Sequence, residues 1–260
     1  MAEYSLMVAP NGARRGRQDH EALPVTAAET AEVAAACYAA GARALHLHVR
    51  DGGGRHSLDP ARYREAMAAV QERAPGMAVQ ITTESAGIYD VDAQLACLKA
   101  LRPAAASIAV REIARDEELA PKVYQLCAEA GTRVQHILYG PECIAQLRAW
   151  YRDGTVPADR REAIFVLGKY SPAVEARPGD LDLVLKFAAG MHLNWTACAF
   201  GRQEHACLLA AVAAGGDVRI GFENNIETPV GGLLDGNAAS VAAFVKAARE
   251  AGHTLKEGQS

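Results

Sequence analysis

Short apolar segments alternate with longer alanine-rich segments along this chain, and that alternation constrains the fold more than any other feature. The short segments have the length of strands, and we predict strands at 4–9, 43–49, 77–83, 104–110, 132–138, 162–167, 193–199 and 217–222. The longer segments have helical periodicity, and we predict helices at 26–40, 59–73, 90–101, 115–130, 141–152, 179–190, 203–214 and 237–251. Strict alternation of this kind predicts an α/β fold, namely a (β/α)8 TIM barrel, with an open doubly wound sheet as the alternative.

Local signals support several of these boundaries. Thr26 and Glu29 have the spacing of a capping box, and Asp59 precedes Pro60 as an N-cap residue precedes a proline at N1. The chain has 260 residues, close to the roughly 250 of a typical barrel, and no Pro/Ser-rich linker or charge block divides it. We therefore expect a single TIM-barrel domain over residues 1–260.

Charge and cysteine usage argue against several classes of protein. The formal net charge of -4 gives no electrostatic reason to expect a nucleic acid or an anionic membrane as partner. The six cysteines are dispersed without a C-x-x-C pair, so neither a thiolate zinc cluster nor a disulfide framework has its usual spacing. No long apolar segment follows a basic N-terminus. We expect a cytoplasmic protein that acts on a small molecule.

Two histidines one residue apart, His46 and His48, lie at the end of the second predicted strand. Side chains at i and i+2 of a strand point to the same face, where two imidazoles can share one metal ion. A polar strand face without a metal is the alternative interpretation. The strand then runs into the glycine-rich segment 52–54, and chemistry in parallel α/β folds lies at such strand ends.

The eighth predicted strand offers a third metal ligand. Alternation places Arg219, Gly221 and Glu223 on one face, so Glu223 can complete a two-histidine, one-carboxylate site with open positions. His136 and His205 are the other candidates for a third ligand, with hydrogen-bonded structural roles as the alternative. Arg219 either forms a structural salt bridge in the lumen or stabilises a developing enolate or oxyanion beside the metal.

Two further strand ends carry polar side chains. The first strand leads into a basic loop with Asn11 and Arg14, which is either a solvated charge run or an anion-binding loop at the barrel mouth. The third ends in the hydroxyls of Thr82 and Thr83 and the carboxylate of Glu84. Threonine is also simply a good strand former, so the hydroxyl pair alone is weak evidence.

The chain resembles the β-keto acid cleavage enzyme family, whose founding activity is 3-keto-5-aminohexanoate cleavage. Motifs along nearly the whole length carry this resemblance. They are Leu23-Pro24-Val25-Thr26, Ala40-Gly41-Ala42, His46-Leu47-His48-Val49-Arg50-Asp51, Gln80-Ile81-Thr82-Thr83, Ala199-Phe200-Gly201-Arg202 and Arg219-Ile220-Gly221-Phe222-Glu223-Asn224-Asn225. The histidine string and the strand-8 string together are specific, although neither would suffice alone.

The resemblance implies a zinc-dependent TIM barrel that combines a β-keto acid with acetyl-CoA, releasing acetoacetate and the CoA ester of the remaining acyl portion. It also implies a homo-oligomer, a dimer or a tetramer. The matching family positions are His46, His48 and Glu223 as zinc ligands, Arg219 as the catalytic arginine, and Thr82 and Ser107 as hydroxyls that contact the substrate.

Three positions depart from the family pattern. Asn224 stands where the family usually has an acidic catalytic residue, and Arg14 stands where the founding activity has an acidic residue. Glu84 replaces a common glycine and returns one carboxylate to the pocket. We therefore assign Arg219, Glu84 and Asn224 to the catalytic group and Thr82, Thr83, Ser107, Arg14 and Asn11 to the substrate-binding group.

These departures leave two hypotheses. In the first, Glu84 or another group replaces the lost acid, and Arg14 or Arg15 selects a substrate with a second anionic group. In the second, the barrel keeps a metal but has another lyase or hydrolase activity, or only binds a metabolite. A metal-dependent hydrolase of the amidohydrolase type is the enzymatic rival, although its histidine pair belongs on strand 1 and its carboxylate ligand is an Asp.

Overall fold

Eight parallel strands close into a barrel in which the strands follow one another in chain order. The computed structural model describes residues 1–256. The barrel strands are β1 (Leu6–Val8), β2 (Ala44–Leu47), β3 (Ala78–Thr82), β4 (Ala105–Ala109), β5 (Arg133–Leu138), β6 (Glu162–Leu167), β7 (Asn194–Ala199) and β8 (Asp217–Ile220). Each strand pairs with its neighbours in sequence, and β8 pairs with β1. The predicted (β/α)8 barrel is confirmed, and the open doubly wound sheet is excluded.

Helices surround the barrel and connect successive strands. Across residues 1–256 they are α1 (Ala27–Ala40), α2 (Pro60–Arg73), α3 (Val91–Leu101), α4 (Ala120–Ala130), α5 (Pro141–Asp153), α6 (Asp180–Ala188), α7 (Glu204–Ala213) and α8 (Asn237–Glu250). A short helical segment, Val110–Ile113, directly follows β4. The predicted helix 115–130 therefore begins later than expected, because Asp116 accepts hydrogen bonds from the backbone of Glu118 and Leu119 in a turn before Ala120.

The local signals at the first two helices form as predicted. Thr26 Oγ1 accepts a hydrogen bond from the Glu29 backbone at 3.2 Å, and the Glu29 carboxylate accepts one from the Thr26 backbone at 3.0 Å. Asp59 Oδ1 accepts from the Ala61 backbone at 2.8 Å, directly before Pro60 and the rest of α2. These caps satisfy N–H groups that have no partner within the helix.

Apolar side chains form two layers, one between the strands and the helices and one inside the barrel. The inner cluster consists of Ala109, Ile137, Ile164, Val166 and Cys198. All six cysteines lie in the described range, are buried and form no disulfide. Among residues 1–256 no helix combines the length and apolar character needed to cross a bilayer.

Strands β2 and β8 leave the barrel earlier than predicted. After β2, Val49–Arg50 turns away to pair antiparallel with His56–Ser57 outside the barrel. Strand β8 ends at Ile220 because Gly221 adopts a φ of 142°, which cannot continue a strand. Residues 221–225 then form a tight turn, closed by a hydrogen bond from the Asn225 backbone to the carbonyl of Gly221.

Replacing Gly221 by alanine is expected to lower the free energy of unfolding by at least about 2 kcal/mol. A Cβ at this position would overlap the carbonyl oxygen of Ala9, and the positive φ adds strain. Chemical denaturation measures the change. Gly190→Ala is the matched control, because Gly190 also has a positive φ (76°) but no atom within 4 Å of the position that a Cβ would take. Equal losses in both variants would contradict the steric explanation.

Candidate active site

His46, His48 and Glu223 converge at the carboxyl end of the barrel. His46 lies on β2, His48 directly follows that strand, and Glu223 lies in the turn after β8. The two Nε2 atoms are 3.1 Å apart, and Glu223 Oε2 lies 3.5 Å from His46 Nε2 and 3.3 Å from His48 Nε2. Both histidines are buried. The structure thus brings together the three residues that the sequence predicts as metal ligands.

Gln80 determines which nitrogen of His46 carries the proton. The Nδ1 atom of His46 lies 2.8 Å from Oε1 of Gln80, and the Gln80 amide nitrogen in turn donates to Gln135. Because an amide oxygen can only accept, His46 must donate through Nδ1. The Nε2 atom of His46 therefore presents its lone pair to His48 and Glu223.

His56 has the same effect on His48 through one additional hydrogen bond. His56 Nε2 lies 2.8 Å from the backbone carbonyl of Glu84, so it donates there, which leaves Nδ1 of neutral His56 as an acceptor. His48 Nδ1 lies 3.4 Å from that acceptor and donates to it. The Nε2 atom of His48 is consequently also an acceptor.

Three acceptor atoms therefore face one another without a donor among them. Burial lowers the pKa of His46 to about 4 and lowers that of His48 as well, so both rings are neutral at pH 7. Burial alone would raise the pKa of Glu223, but Arg219 and the two histidines together lower it well below its ordinary value, so the carboxylate is ionised. Glu223 Oε2 has no hydrogen-bond donor within the described range. Such a cluster fits a cation.

The donor set and its spacing are compatible with zinc. Two imidazole nitrogens and a carboxylate oxygen form a ligand set of catalytic zinc sites, which keep a fourth position open. Ligands at about 2.0–2.1 Å from a tetrahedral zinc ion lie roughly 3.3 Å apart. The separations of 3.1, 3.3 and 3.5 Å lie around that value. Gln80 and His56 orient the rings as partners of metal-bound histidines do.

Arg219 is paired with the free oxygen of Glu223. Its Nη2 donates to Glu223 Oε1 at 2.8 Å, to Asn224 Oδ1 at 3.3 Å and to Cys198 Sγ at 3.4 Å. Arg219 lines the cleft, whereas Asn224 is fully buried and does not. The predicted salt bridge of Arg219 is thus present, and its carboxylate partner is Glu223 itself.

Glu223 reaches the two histidines because of the turn after β8, and not because of strand alternation. The expectation that Arg219, Gly221 and Glu223 follow one another on a strand face is wrong, because the strand ends at Ile220. The turn is held by the Glu204 carboxylate, which accepts from the Gly221 backbone at 3.2 Å. Burial raises the pKa of Glu204 to about 8.

We refer to residues 9–26, between β1 and α1, as loop 1. The conformation of this loop requires its backbone to pass close to Glu223. A Cβ on Gly12, whose φ is 66°, would lie 2.6 Å from Cγ of Glu223. Arg50, which was not among the predicted site residues, fixes this loop by donating to the backbone carbonyls of Gly12, Ala13 (2.9 Å) and Arg15 (3.0 Å). The sequence places Arg50 in the H-x-H-x-R string, but it does not indicate that the partners of Arg50 are backbone carbonyls of loop 1.

A cleft of about 830 Å³, counting space open to solvent, lies above the three converging side chains. We refer to it as the mouth cleft. Of the predicted site residues, those that line it are Asn11, Arg14, His46, Thr82, Glu84, Arg219 and Glu223. The others, namely His48, Thr83, Ser107 and Asn224, lie outside its lining.

Thr83 and Ser107 lie outside the lining of the mouth cleft. Thr83 is fully buried, and its hydroxyl donates to the backbone carbonyl of Ser107 at 3.2 Å. Ser107 is also buried, pairs with Thr82 and Gln135 in the strand register, and has no partner for its hydroxyl among the described residues. The predicted substrate contacts of these two residues stay predictions, although the Thr83 hydroxyl is already engaged within the protein. Thr82 does line the cleft.

Glu84 enters the mouth cleft from the end of β3. Its side chain is 19% exposed, and its Oε1 lies 4.0 Å from Nε of Arg14. Burial, together with the negative charges of Glu223 and Glu112, raises the pKa of Glu84 to about 7, although Arg14 opposes the shift. A carboxyl group with such a pKa can hold or release a proton near neutral pH.

His136 and His205 do not belong to the site. His136 points out of the barrel, where its nitrogens lie 3.4 Å from the Tyr124 hydroxyl and 3.1 Å from the Arg160 carbonyl. His205 lies on α7 and faces α8, with Nε2 3.0 Å from the Ser240 hydroxyl. Both have the structural role that was the alternative for each.

Three residues on the far wall of the mouth cleft were not predicted from the sequence. Arg111, Tyr139 and Lys169 line it and follow β4, β5 and β6, respectively. The rule that polar residues at strand ends carry function could have found them, since each directly follows a predicted strand or lies two residues beyond it.

Solved structures with the same fold include apo ObcA, with a TM-score of 0.72 and 15% identity over 91% of this chain. This chain spans 64% of the length of the ObcA chain. The 3-dehydroquinate dehydratase from Geobacillus kaustophilus has a TM-score of 0.61 at 13% identity, over 94% of this chain and 92% of that chain. At such identities the likeness concerns the fold alone.

Sequence comparisons extend over nearly the whole chain. A 3-keto-5-aminohexanoate cleavage enzyme from Fusobacterium nucleatum is 26% identical, over 98% of this chain and 94% of that protein. A 3-oxoadipate:acetyl-CoA acetyltransferase from Cupriavidus necator is 24% identical, over 96% and 90%. The model of the beta-keto acid cleavage enzyme family matches residues 4–259. The chain is therefore an enzyme and belongs to the β-keto acid cleavage enzyme family.

Proposed function

We propose that this enzyme transfers the acyl portion of a β-keto acid to CoA at a zinc ion held by His46, His48 and Glu223. A β-keto acid and acetyl-CoA would give acetoacetate and the CoA ester of the remaining acyl portion. The observation that carries the proposal is the convergence of two imidazole lone pairs and one carboxylate oxygen without a donor among them. The names of the two curated relatives support the choice of reaction.

When bound, zinc polarises carbonyl and carboxylate oxygens and makes the carbon between them more acidic. The protein supplies the rest of the arrangement. Gln80 and His56 hold the two imidazoles in the tautomer that presents Nε2. Thr82 lines the cleft, and its hydroxyl accepts from the Glu84 backbone, so its own hydrogen is free for a substrate oxygen.

Arg219 provides positive charge at the base of the cleft. Its guanidinium is 3% exposed, and its Nη2 is held by Glu223 and Asn224. Because the group is fixed before the reaction, it can stabilise negative charge on a substrate oxygen without reorganisation. Asn224 therefore acts as a positioning residue for Arg219, since an amide has no basic form to take a proton.

Glu84 is the group proposed to transfer the proton of the substrate carbon that lies between the two carbonyl groups. It reaches the cleft on the side of Arg14, and burial gives its carboxyl a pKa of about 7. As a carboxylate it would take a proton from the carbon between the two carbonyl groups, and as a carboxylic acid it would return that proton. This assignment replaces the acid that Asn224 cannot supply.

Turnover of a panel of β-keto acids with acetyl-CoA tests the proposal. The enzyme supplied with Zn²⁺ should form acetoacetate and an acyl-CoA in equal amounts, and omission of acetyl-CoA should abolish both products. Failure of every member of the panel with zinc bound would contradict the proposed reaction. Products other than this pair would instead support the alternative of a diverged lyase or hydrolase.

Gln80→Leu is expected to weaken zinc binding by roughly 10- to 100-fold, because it removes the acceptor that fixes the tautomer of His46. Competition with a chelator measures the affinity directly and needs no turnover. Gln80→Glu is the control, since it keeps an acceptor for His46 Nδ1 and should keep most of the affinity. Equal affinities of the Leu variant and the wild type would contradict this role.

A further inference from the structure

Two exposed cations of the mouth cleft have neither an ion pair nor a side-chain hydrogen bond among the described residues. Arg111 and Lys169 line the cleft and are exposed, and neither forms an ion pair within residues 1–256. The other cations of the lining are engaged. Arg14 lies by Glu84, Arg15 donates to the Phe222 carbonyl at 2.5 Å, and Arg219 is bound to Glu223.

The cleft therefore carries more positive charge than its own carboxylates balance. Five cations line it, namely Arg14, Arg15, Arg111, Lys169 and Arg219. Two carboxylates, Glu84 and Glu223, oppose them, in a chain whose net charge is -4. Binding of a divalent metal would increase this surplus further. A ligand that fills the cleft must bring more than one negative charge to balance it.

The unpaired cations lie across the barrel from the proposed metal ligands. His46 and Glu223 belong to β2 and to the end of β8, so the metal side is centred on β1. Arg111 and Lys169 follow β4 and β6, so their side is centred on β5. In a closed barrel of eight strands in chain order, β1 and β5 are diametrically opposed.

Tyr139, directly after β5, lies between the two cations in strand order and packs against Arg111. The guanidinium of Arg111 lies 3.4 Å from the centroid of its ring. Stacking of this kind holds the guanidinium while leaving its in-plane N–H groups free for a carboxylate. Tyr139 lines the same cleft, and its hydroxyl makes no hydrogen bond to any described residue. Two cations and one hydroxyl, carried by the segments that follow three consecutive strands, thus line this side of the cleft without an ion-pair or hydrogen-bond partner among the described residues.

We propose that Arg111, Tyr139 and Lys169 form a subsite for a second anionic group on the acyl portion of the substrate, so that the enzyme prefers β-keto dicarboxylic acids. This inference rests on the proposed function, because it places the first carboxylate and the keto group at His46, His48 and Glu223. It also moves the anion-selecting role from the arginines of loop 1, which have partners, to the opposite wall.

An oxyanion at this subsite could come from the distal carboxylate or from a phosphate of CoA. The test compares 3-oxohexanoate with 3-oxohexanedioate, which share a chain length and differ in the terminal carboxylate. The variant is Arg111→Gln/Lys169→Gln. The matched control, Lys122→Gln/Arg249→Gln, removes two exposed cations away from the cleft and gives the same change in net charge.

We expect the wild type to favour the dicarboxylate and the cleft variant to lose about 30-fold in kcat/KM for it, mainly through KM. For 3-oxohexanoate the loss should stay below about threefold, and the control variant should resemble the wild type with both acids. A cleft variant that keeps the wild-type preference would overturn the proposal. So would a variant that raises the KM of acetyl-CoA equally with both acids, since the cations would then bind phosphate.

A binding measurement separates this inference from the cleavage reaction. Titration calorimetry of the purified protein with hexanedioate and hexanoate requires no turnover. The wild type should bind the dicarboxylate more tightly, and the cleft variant should lose most of that difference. If no β-keto acid is cleaved but this pattern holds, the subsite stands and only the proposed reaction fails. Equal binding of the two acids by the wild type would overturn the subsite itself.

Discussion

His46→Ala and Glu223→Ala are each expected to abolish stable metal binding, with affinity for Zn²⁺ reduced by more than roughly 100-fold. Loss of a group that merely orients a ligand already costs about 10- to 100-fold, and loss of a ligand itself must cost more. The remaining ligands would leave two positions of the ion without protein donors. Metal content after purification, and chelator competition for the affinity, measure the effect.

Two companion variants keep this result interpretable. His192→Ala removes an exposed histidine outside the cleft and should retain the wild-type metal content. Glu223→Ala also leaves the buried Arg219 without its carboxylate, which can destabilise the fold. Glu223→Gln keeps the volume and a hydrogen-bond acceptor for Arg219, so metal loss in that folded variant isolates ligation. Unchanged metal content in both ligand variants would rule out the proposed centre.

The fold could be predicted because periodicity alone encodes it. The barrel requires eight apolar runs separated by helices, and each run appears in the sequence within a few residues of its observed strand. Errors lie where a local backbone choice overrides periodicity. Gly221 ends β8 early, and the Asp116 turn delays the start of α4. Neither effect changes the hydrophobic pattern from which strands and helices are predicted.

The converging ligands were predicted correctly, but one for the wrong geometric reason. His46 and His48 do follow strand alternation, whereas Glu223 reaches them through the turn that Gly221 permits and Glu204 holds. Alternation and the turn happen to deliver the carboxylate to the same end of the barrel. The spacing between residues 219 and 223 determines at which end of the barrel Glu223 lies, but it does not determine the backbone conformation that brings Glu223 there.

Residues that act through pairs of contacts could not be predicted from a single sequence. His56 matters because His48 lies beside it and the Glu84 carbonyl lies beyond it, and those neighbours come from different segments. The position of Arg111 after a predicted strand was open to prediction, but its stacking on Tyr139 and its lack of an ion pair are known only from the fold. Partners and their absence are properties of the folded chain, and residue type alone does not reveal them.

Glu84→Gln is expected to lower kcat by roughly 100- to 10,000-fold with little change in KM, since it removes a proton-transferring group but keeps its shape. The sign of the pH dependence follows from its pKa of about 7, which burial raises above the ordinary value of 4.5. The base form is populated as pH rises through that value, so wild-type activity should increase with pH and level off. A bound divalent cation favours the carboxylate, which places the midpoint at or below about 7.

The same raised pKa makes an independent prediction for stability. Between pH 4.5 and about 7 the folded protein keeps a proton on Glu84 that the unfolded chain has released, so the contribution of Glu84 to stability should fall as pH rises through this window. The buried histidines, whose pKa values are lowered, contribute in the opposite direction, so the measurement is the difference in stability between the wild type and Glu84→Gln. In the metal-free proteins that difference should change by at most about 3 kcal/mol across the window, with the wild type losing stability relative to Glu84→Gln as pH rises. Adding Asn224→Asp to Glu84→Gln supplies an acid at the family position. Recovery of kcat in that double variant would show that the two carboxylates are interchangeable. An unchanged kcat in Glu84→Gln alone would refute the assignment of Glu84 as the proton-transferring group. Asn224 could not explain such a result, because its amide cannot accept the proton in place of Glu84.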